Sequence, residues 1–570
     1  MNELSGIDDY IYDSMQAWHA PGVALAVVKD GEVILKRGYG FRNVEEELPV
    51  TPSTMFPLAS ITKSFTAMGV ALLVDEGKLA WDTPVRDYLP WFRLEDDYVT
   101  AHLTVRDLLC HRSGLPRHDM VWYGSDFSRE ELVRKLAHLK ANKGFRSTYQ
   151  YQNIMFAAAG YLTGHVVGSS WEAFIQERIF DVLEMSASNI SPEAYLASTD
   201  HATGYKESKG EVTSLPYRDF VNTAPAGSIN SNLEDMLSWL HLHLHGGKHK
   251  GKVFVSETNL TEMHTPQMLV RTSGLYKKLF GTPINTYGLG WHIQPYRGYT
   301  LIHHGGNIDG FSTFFSFIPE ANLGSVILTN IQSKPLRRTL PFTIYDRLLG
   351  LPASDWDKRY LAVFAESDAA QDRQEETLDA ERVPDTQPSH ALADYIGTYE
   401  HPGYADFVVG ENEGQLTGTY AGEVLPLTHY HYDTFELFYE LYKVRLKITF
   451  LTDTKGNISA AVIPIESAVD PVTYARKPEA VSKEVLEQLP GTYDTSVEGT
   501  LYTVRLSPQG VLYGRLSGQP EAELQPYRGT EFRSKANTNT TAEFVQEDGQ
   551  FNRVLLKLTG GTYDGKRISP

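Results

Sequence analysis

Residues 56–65 read FPLASITKSF, and the spacing within them sets the reading of the whole first domain. Ser60 stands three residues before Lys63, at the start of the apolar run ITKSFTAMGVALLVDEG (61–77), which reads as a helix. Gly77 is placed to end that helix in the left-handed conformation. A serine at a helix start lies where unpaired N–H groups and the positive dipole end can stabilise a developing oxyanion. A lysine three residues on shares its helical face, close enough to take the hydroxyl proton if burial depresses its pKa. Ser60–Lys63 is the only Ser-x-x-Lys in the chain. The competing reading is a helix cap followed by a solvated lysine.

Outward from this helix, the segment GVALAVVKDGEVILKRGYG (22–40) is two apolar runs joined by Asp30-Gly31, a hairpin signal because both turn positions need positive φ. The segment GFSTFFSFIPEANLGSVILTN (310–330) reads as a second hairpin, turning around Pro319 to Gly324. Strand pairs at both ends with helices between them predict an α/β (α+β) domain over residues 1–364. Its mainly antiparallel sheet is closed by the two ends of the domain and flanked by helices.

Composition narrows the function classes. The chain has 570 residues, too many for one hydrophobic core. A formal net charge of −19 repels phosphate backbones and argues against nucleic-acid binding. No run of eighteen apolar residues predicts a membrane span. The N-terminal stretch MNELSGIDDYIYDSMQAW is acidic, unlike a secretory signal. The single cysteine, Cys110, lies in the apolar run LTVRDLLCHRSGL (103–115) and reads as a buried core thiol. Together these predict a cytoplasmic protein with no membrane partner.

Residues 365–390, AESDAAQDRQEETLDAERVPDTQPSH, read as an acidic linker. Beyond it the pattern turns to short alternating strands and repeats itself. LADYIGTYEHPGYADFVV (392–409) has a counterpart in LEQLPGTYDTSVEGTLYTVRL (486–506), with Gly397 and Gly491 each followed by Thr-Tyr. The repeat predicts two small antiparallel β-barrels, over 391–480 and 481–570, or else one larger barrel built from both halves.

Two further motifs carry chemistry. In STYQYQNIMFAAAGYLTG (147–164), Tyr151-Gln152-Asn153 is the only Tyr-x-Asn and precedes an apolar helix. A tyrosine near a lysine ammonium can lose part of its proton and relay it to a leaving group. The asparagine can hold the lysine and orient a substrate amide. In isolation the pair reads rather as a core tyrosine with a helix-capping asparagine. In IHHGGNIDGFSTFFSF (302–317), Gly305 and Gly306 leave room for a substrate against a strand. The backbone N–H of Asn307 would be exposed there, and His304 would set a proton donor or partial positive charge beside it. A tight turn entering a strand is the competing reading.

The order Ser60-x-x-Lys63, Tyr151-x-Asn153, His304-x-Gly306 resembles the penicillin-recognising serine hydrolases. That superfamily includes class C β-lactamases, D-alanyl-D-alanine carboxypeptidases, D-aminopeptidases and related esterases. PGVALAVVKDGEVILKRGYG, TPSTMFPLASITKSFTA, APAGSINSNLEDMLSW and YGLGW support the likeness over roughly residues 5 to 350. The resemblance implies a β-lactamase-like fold with lipocalin-like C-terminal barrels, and an acyl-enzyme on Ser60. Lys63 and Tyr151 would form the base and acid system, and Asn153 would bind substrate. Ser60 and Asn307 would supply the oxyanion N–H groups beside His304 and Gly306. No cofactor or metal is implied. Where β-lactamases carry Lys-Thr-Gly this chain has His304-Gly305-Gly306, closer to the D-aminopeptidase and esterase branches. Gln152 replaces the commoner small residue and would alter pocket width. In the D-aminopeptidases, barrel elements approach the catalytic cleft.

These readings converge on a serine peptidase or amidase for small peptides, D-amino-acid-containing ones included, as a monomer or homo-oligomer. A carboxylesterase or weak β-lactamase, and a non-catalytic penicillin-binding sensor, are the rivals. The histidines of WLHLHLHGGKHK (239–250) read as a helix C-terminus rather than a metal site, although His241 and His245 share a face. The loop GLPRHDMVWYG (114–124) offers His118, Asp119, Trp122 and Tyr123 as cleft-lining candidates.

Overall fold

The structure is a computed structural model. It describes residues 3–366 except 209 and 273, and residues 381–569 except 440–443, 479, 496, 498, 538 and 559. Residues 367–380, most of the expected linker, lie outside the described residues.

Gly22–Lys29 (β1) is buried along nearly its whole length, as its unbroken apolar run requires of a strand covered on both faces. It turns through Asp30 and Gly31, both at positive φ, into Glu32–Asn43 (β2), with Lys29 paired to Glu32. His292–Tyr296 (β3), Tyr299–Ile308 (β4), Phe311–Ile318 (β5) and Leu323–Thr329 (β6) complete the main strands. The turn between β5 and β6 runs through Pro319–Ala321 and a left-handed Asn322, as its sequence predicts. Nine strands form one antiparallel sheet in the order Met268–Leu269, Thr286–Tyr287, β3, β4, β5, β6, β1, β2, Leu48–Pro49. β1 pairs with β6 through Val23↔Thr329, so the beginning and end of the domain meet inside the sheet, as its sixth and seventh strands.

Ile7–Ala17 (α1) and Leu336–Leu348 (α5) belong to the core beneath one face, where Ile11, Leu340 and Ile344 meet Val23, Leu25, Phe314 and Ile327. Elsewhere in the same unit lie Thr62–Asp75 (α2), Asn153–Val167 (α3) and Leu233–Leu244 (α4). α2 and α3 are buried almost all round, which fits helices packed between other elements rather than on a surface. Gly77, at φ 69, ends α2 with its N–H donating to Val74 O. Gly160 lets α3 approach the Ala224–Gly227 turn, because a Cβ there would fall inside Pro225.

The chain divides into two compact units. The first comprises Met1–Pro384 together with Pro402–Ala405 and Pro464–Val472, two short stretches within the range expected for the first barrel. The second holds two separate closed eight-stranded barrels, running from Gly397–Glu400 to Val472–Arg476 and from Gly491–Thr495 to Gly561–Ser569. The repeat is structural as well as sequential. Tyr399 and Tyr493 are buried, and each hydroxyl donates to the carbonyl four residues earlier, Tyr395 O and Leu489 O, at 2.8 Å. Arg476 donates to Ile396 O as Arg567 does to Pro490 O.

Gly160→Ala is expected to destabilise the first unit by about 1–3 kcal/mol through overpacking against Pro225. Alanine's helix propensity alone favours the opposite sign by about 1 kcal/mol. Urea denaturation of the two proteins decides between the signs.

Candidate active site

Ser60 lies in a single 3₁₀ turn, Ala59–Ile61, that runs directly into α2. Ala59 before it has φ 50, a left-handed conformation that costs a residue with a Cβ and is held by its surroundings. One such support is β4. A Cβ on Gly306 would collide with Leu58 O, Thr313 Oγ1 and the Ala59 methyl, so glycine here lets the strand lie against the serine turn. Thr313 donates to Leu58 O at 2.8 Å and fastens β5 to the same turn.

One turn deeper, Lys63 is 0% exposed. Its Nζ lies 3.2 Å from Ser60 Oγ, 2.8 Å from Asn153 Oδ1 and 2.7 Å from Ala226 O. Burial, then the nearby Arg117, pushes its ammonium well below the ordinary lysine value, with Asp119 opposing. A neutral amine has two N–H donors and one lone pair. Asn153 Oδ1 and Ala226 O take the donors, which leaves the lone pair for the Ser60 hydroxyl.

Asn153, the first residue of α3, is oriented by its own neighbour. Its Nδ2 donates to Asp119 Oδ1 at 2.9 Å, and because a carboxylate only accepts, the amide oxygen must face Lys63. Tyr151 shares a hydrogen bond with Ser60, and its ring lies 4.7 Å from Lys63 Nζ and 5.0 Å from the Arg117 guanidinium. Burial raises its pKa; the bond to Ser60 and the charge of Arg117 oppose this without cancelling it. The phenol therefore keeps its proton in the resting site, which corrects the expectation of a partly ionised tyrosine.

Two other expectations change for physical reasons. His304 is 2% exposed, and burial beside His292 and Lys63 pushes its pKa well down. Gly305 O can only accept, so Nδ1 donates to it at 2.9 Å, and Nε2 accepts from the Tyr287 hydroxyl at 2.9 Å. His304 is thus a neutral strut with both nitrogens engaged, not a proton donor beside Asn307. Gln152 does not set a pocket width. It is buried, caps α3 by accepting from Ile154 N, and donates to Pro116 O.

A cavity of about 210 Å³ opens over Ser60, with Asn153 and Asn307 on its walls. Trp122, Tyr123 and Phe220 make an aromatic side, with ring centroids 5.6–5.8 Å apart. The charged lining residues are paired. Arg117 Nε donates to Asp119 Oδ2 at 2.6 Å, and Arg218 Nε lies 3.2 Å from Asp309 Oδ2, which also accepts from the Tyr123 hydroxyl. Asp119, Trp122 and Tyr123 were legible as lining candidates; His118 turns away and meets Tyr404. Arg117, Phe220 and Asp309 carried no sequence signal. His111, at φ 60, accepts from Gln152 N and packs against Tyr151 with ring centroids 4.2 Å apart and the planes tilted by 33°.

Among the described residues no three potential metal ligands converge. His241 and His245 stack on each other 5.4 Å apart, and no helix among the described residues is long and apolar enough to cross a membrane.

The β-lactamase family model matches residues 7–347, the whole of the sheet and its helices. The chain belongs to the β-lactamase family. A domain of unknown function, DUF3471, matches residues 381–472. Among curated proteins, unguisins hydrolase ungD′ of Aspergillus campestris is 29% identical over 425 residues, covering 70% of this chain and 76% of that one. Protein flp of Staphylococcus aureus is 27% identical over 335 residues, covering 58% and 63%. Among solved structures, the octameric penicillin-binding protein homologue of Pyrococcus abyssi has a TM-score of 0.54 at 23% identity, covering 83% of this chain and 100% of that one. The β-lactamase-family unit of this chain is a serine hydrolase by that membership.

The lowered pKa of buried Lys63 has a thermodynamic signature. Unfolding restores the ordinary value of 10.5, so the unfolded chain binds one more proton at any pH between the depressed native pKa and 10.5. Stability of the wild type relative to Lys63→Met is therefore expected to rise with pH in that window, by about 1.4 kcal/mol per unit. Urea denaturation of both proteins at pH 8 and 9 measures it; parallel stabilities would mean a charged native lysine.

Proposed function

We propose that this chain hydrolyses amide bonds in small peptides, D-amino-acid-containing ones included, through an acyl-enzyme on Ser60. The observation that carries the reading is Lys63 Nζ held 3.2 Å from Ser60 Oγ, where burial pushes its pKa well below the ordinary lysine value. As Oγ attacks the carbonyl carbon, its proton passes to Lys63 Nζ. The N–H groups of Ser60 and Asn307 receive the oxyanion, a contribution of about 3 kcal/mol per donor in other enzymes. Tyr151, still protonated, gives its proton to the departing amine nitrogen as the C–N bond breaks, and regains one from the Lys63 ammonium. Water then repeats the cycle against the ester carbonyl and frees Ser60. Asn153, fixed by Asp119, holds Lys63 and presents its amide to the substrate.

The cleft supports a neutral acyl group. Its aromatic side favours an apolar or aromatic side chain, and its charges are already satisfied by each other. The neutral His304 supplies no cation for a substrate carboxylate, which favours peptide amides over β-lactams and over C-terminal carboxylates. The hydrolase name of the ungD′ relative supports the general activity. A homo-oligomer belongs to the same reading, supported by the octameric Pyrococcus abyssi protein; light scattering after size exclusion tests it.

A panel of D- and L-aminoacyl anilides, short-chain esters and a chromogenic cephalosporin tests the substrate class. Steady anilide turnover is expected, at least about a thousandfold lower in Ser60→Ala and Lys63→Met, with an ascending pH limb as Lys63 loses its proton. Labelling of Ser60 by a fluorophosphonate without turnover of any anilide or ester would point instead to a sensor. Phe220→Ala is expected to raise KM for aromatic acyl groups several-fold while leaving acetyl esters nearly unchanged.

A further inference from the structure

Asp119 orients Asn153, and Asn153 orients Lys63, so whatever fixes Asp119 governs the base. Asp119 sits in a strained turn. His118 before it is buried with φ 49, a conformation that persists in a non-glycine residue only when its surroundings hold it. The holding groups come from far along the chain. The stretches Pro402–Ala405 and Pro464–Val472 fold as part of the first unit. The Tyr404 hydroxyl lies 2.6 Å from His118 Nδ1, while His118 Nε2 donates to Lys140 O, so Nδ1 accepts from Tyr404. Glu466 Oε1 accepts from Met120 N at 2.7 Å, and the Asp119 N–H also donates to this carboxylate. Asn142 Nδ2 donates to Ala468 O at 2.8 Å and Asn142 Oδ1 accepts from Gln150 Nε2 at 2.7 Å, which ties the same stretch to the segment leading into Tyr151.

We propose that Glu466 is a positioning residue for the Lys63–Ser60 pair. It clamps two successive backbone N–H groups of the 118–121 turn, and so holds Asp119 where it can grip Asn153 and Arg117. The carboxylate touches no reacting atom. Its effect passes through the turn, the Asp119 carboxylate and the Asn153 amide, and rests on the acyl-enzyme reading above.

The clamp is sensitive to protonation. The charged groups facing Glu466 are Asp119 and Arg117, both from the turn it holds. Burial and then Asp119 raise its pKa to about 7, while the two backbone N–H groups and Arg117 pull the other way. A carboxylate is a much stronger acceptor than a carboxyl group, so the clamp is firm above this value and loosens below it. Loss of the Lys63 proton also favours activity as pH rises. Two groups then titrate in the same direction on the acid side, and Glu466 contributes a step of its own near pH 7 to the profile of kcat.

Four full-length proteins test this: wild type, Glu466→Gln, Asp119→Asn and the double variant. Glu466→Gln keeps the shape and an acceptor oxygen but cannot titrate. It is expected to lower kcat at pH 8 about tenfold with KM within twofold, to label fully at Ser60 with a fluorophosphonate, and to lose the step near pH 7 from its acid limb. The double variant is expected to be no slower than Asp119→Asn alone, because both losses use one route. Multiplying losses, or an unchanged limb in Glu466→Gln, would overturn the proposal. If wild-type Ser60 fails to label, the acyl-enzyme reading falls by itself. The clamp is then decided by hydrogen–deuterium exchange, which must be faster across residues 117–121 in Glu466→Ala than in wild type. Equal exchange there refutes it.

Discussion

A primary amine buried without a countercharge is the constraint around which the first unit is organised. Water would protonate Lys63; the interior lowers its pKa well below the ordinary lysine value, because the charged form loses its hydration and gains no directly bonded carboxylate. Keeping the amine neutral requires two acceptors that are themselves uncharged, and a lid of protein over the stem. α2, α3 and the Ala224–Gly227 turn supply these from three separate places in the sequence. The one nearby carboxylate, Asp119, is placed one hydrogen bond away, with the Asn153 amide between it and the amine. A direct salt bridge would have restored the proton.

Glycines and strained residues do the close fitting. Gly306 brings β4 against the serine turn, Gly160 brings α3 against Pro225, and Ala59 and His118 accept left-handed backbone beside the two groups that must be aimed. Such positions store unfavourable conformational energy locally, and it persists because the packed surroundings leave no alternative.

What could be read from residues alone follows a physical division. Features set by local periodicity were legible: the Asp30-Gly31 hairpin, the Gly77 helix end, the shared face of Ser60 and Lys63, and the two barrels announced by Gly397 and Gly491. Features set by burial were not. Nothing in His304-Gly305-Gly306 says that the imidazole will be enclosed with Tyr287 and lose its charge, and nothing in Tyr151-Gln152-Asn153 says that Gln152 will cap the helix. Residues recruited across long separations left even less trace. Arg117 and Asp119 are informative only once the turn carrying them is laid against Asn153, and Glu466 only once it meets a backbone amide 346 residues away.

The pairing of β1 with β6 carries a consequence for synthesis. Val23 cannot meet Thr329 until some three hundred further residues have left the ribosome. Through that interval an unbroken apolar strand, GVALAVVK, has only its hairpin partner β2 on one edge and an empty edge on the other. Long-range closure of this kind folds slowly and leaves a nascent edge open to wrong partners. A bulge at Val27–Val28 interrupts the pairing of this strand with β2, and the charged residues Lys29, Asp30 and Glu32 stand at its end. They are the ordinary means by which a chain discourages intermolecular pairing while it waits for its own last strand.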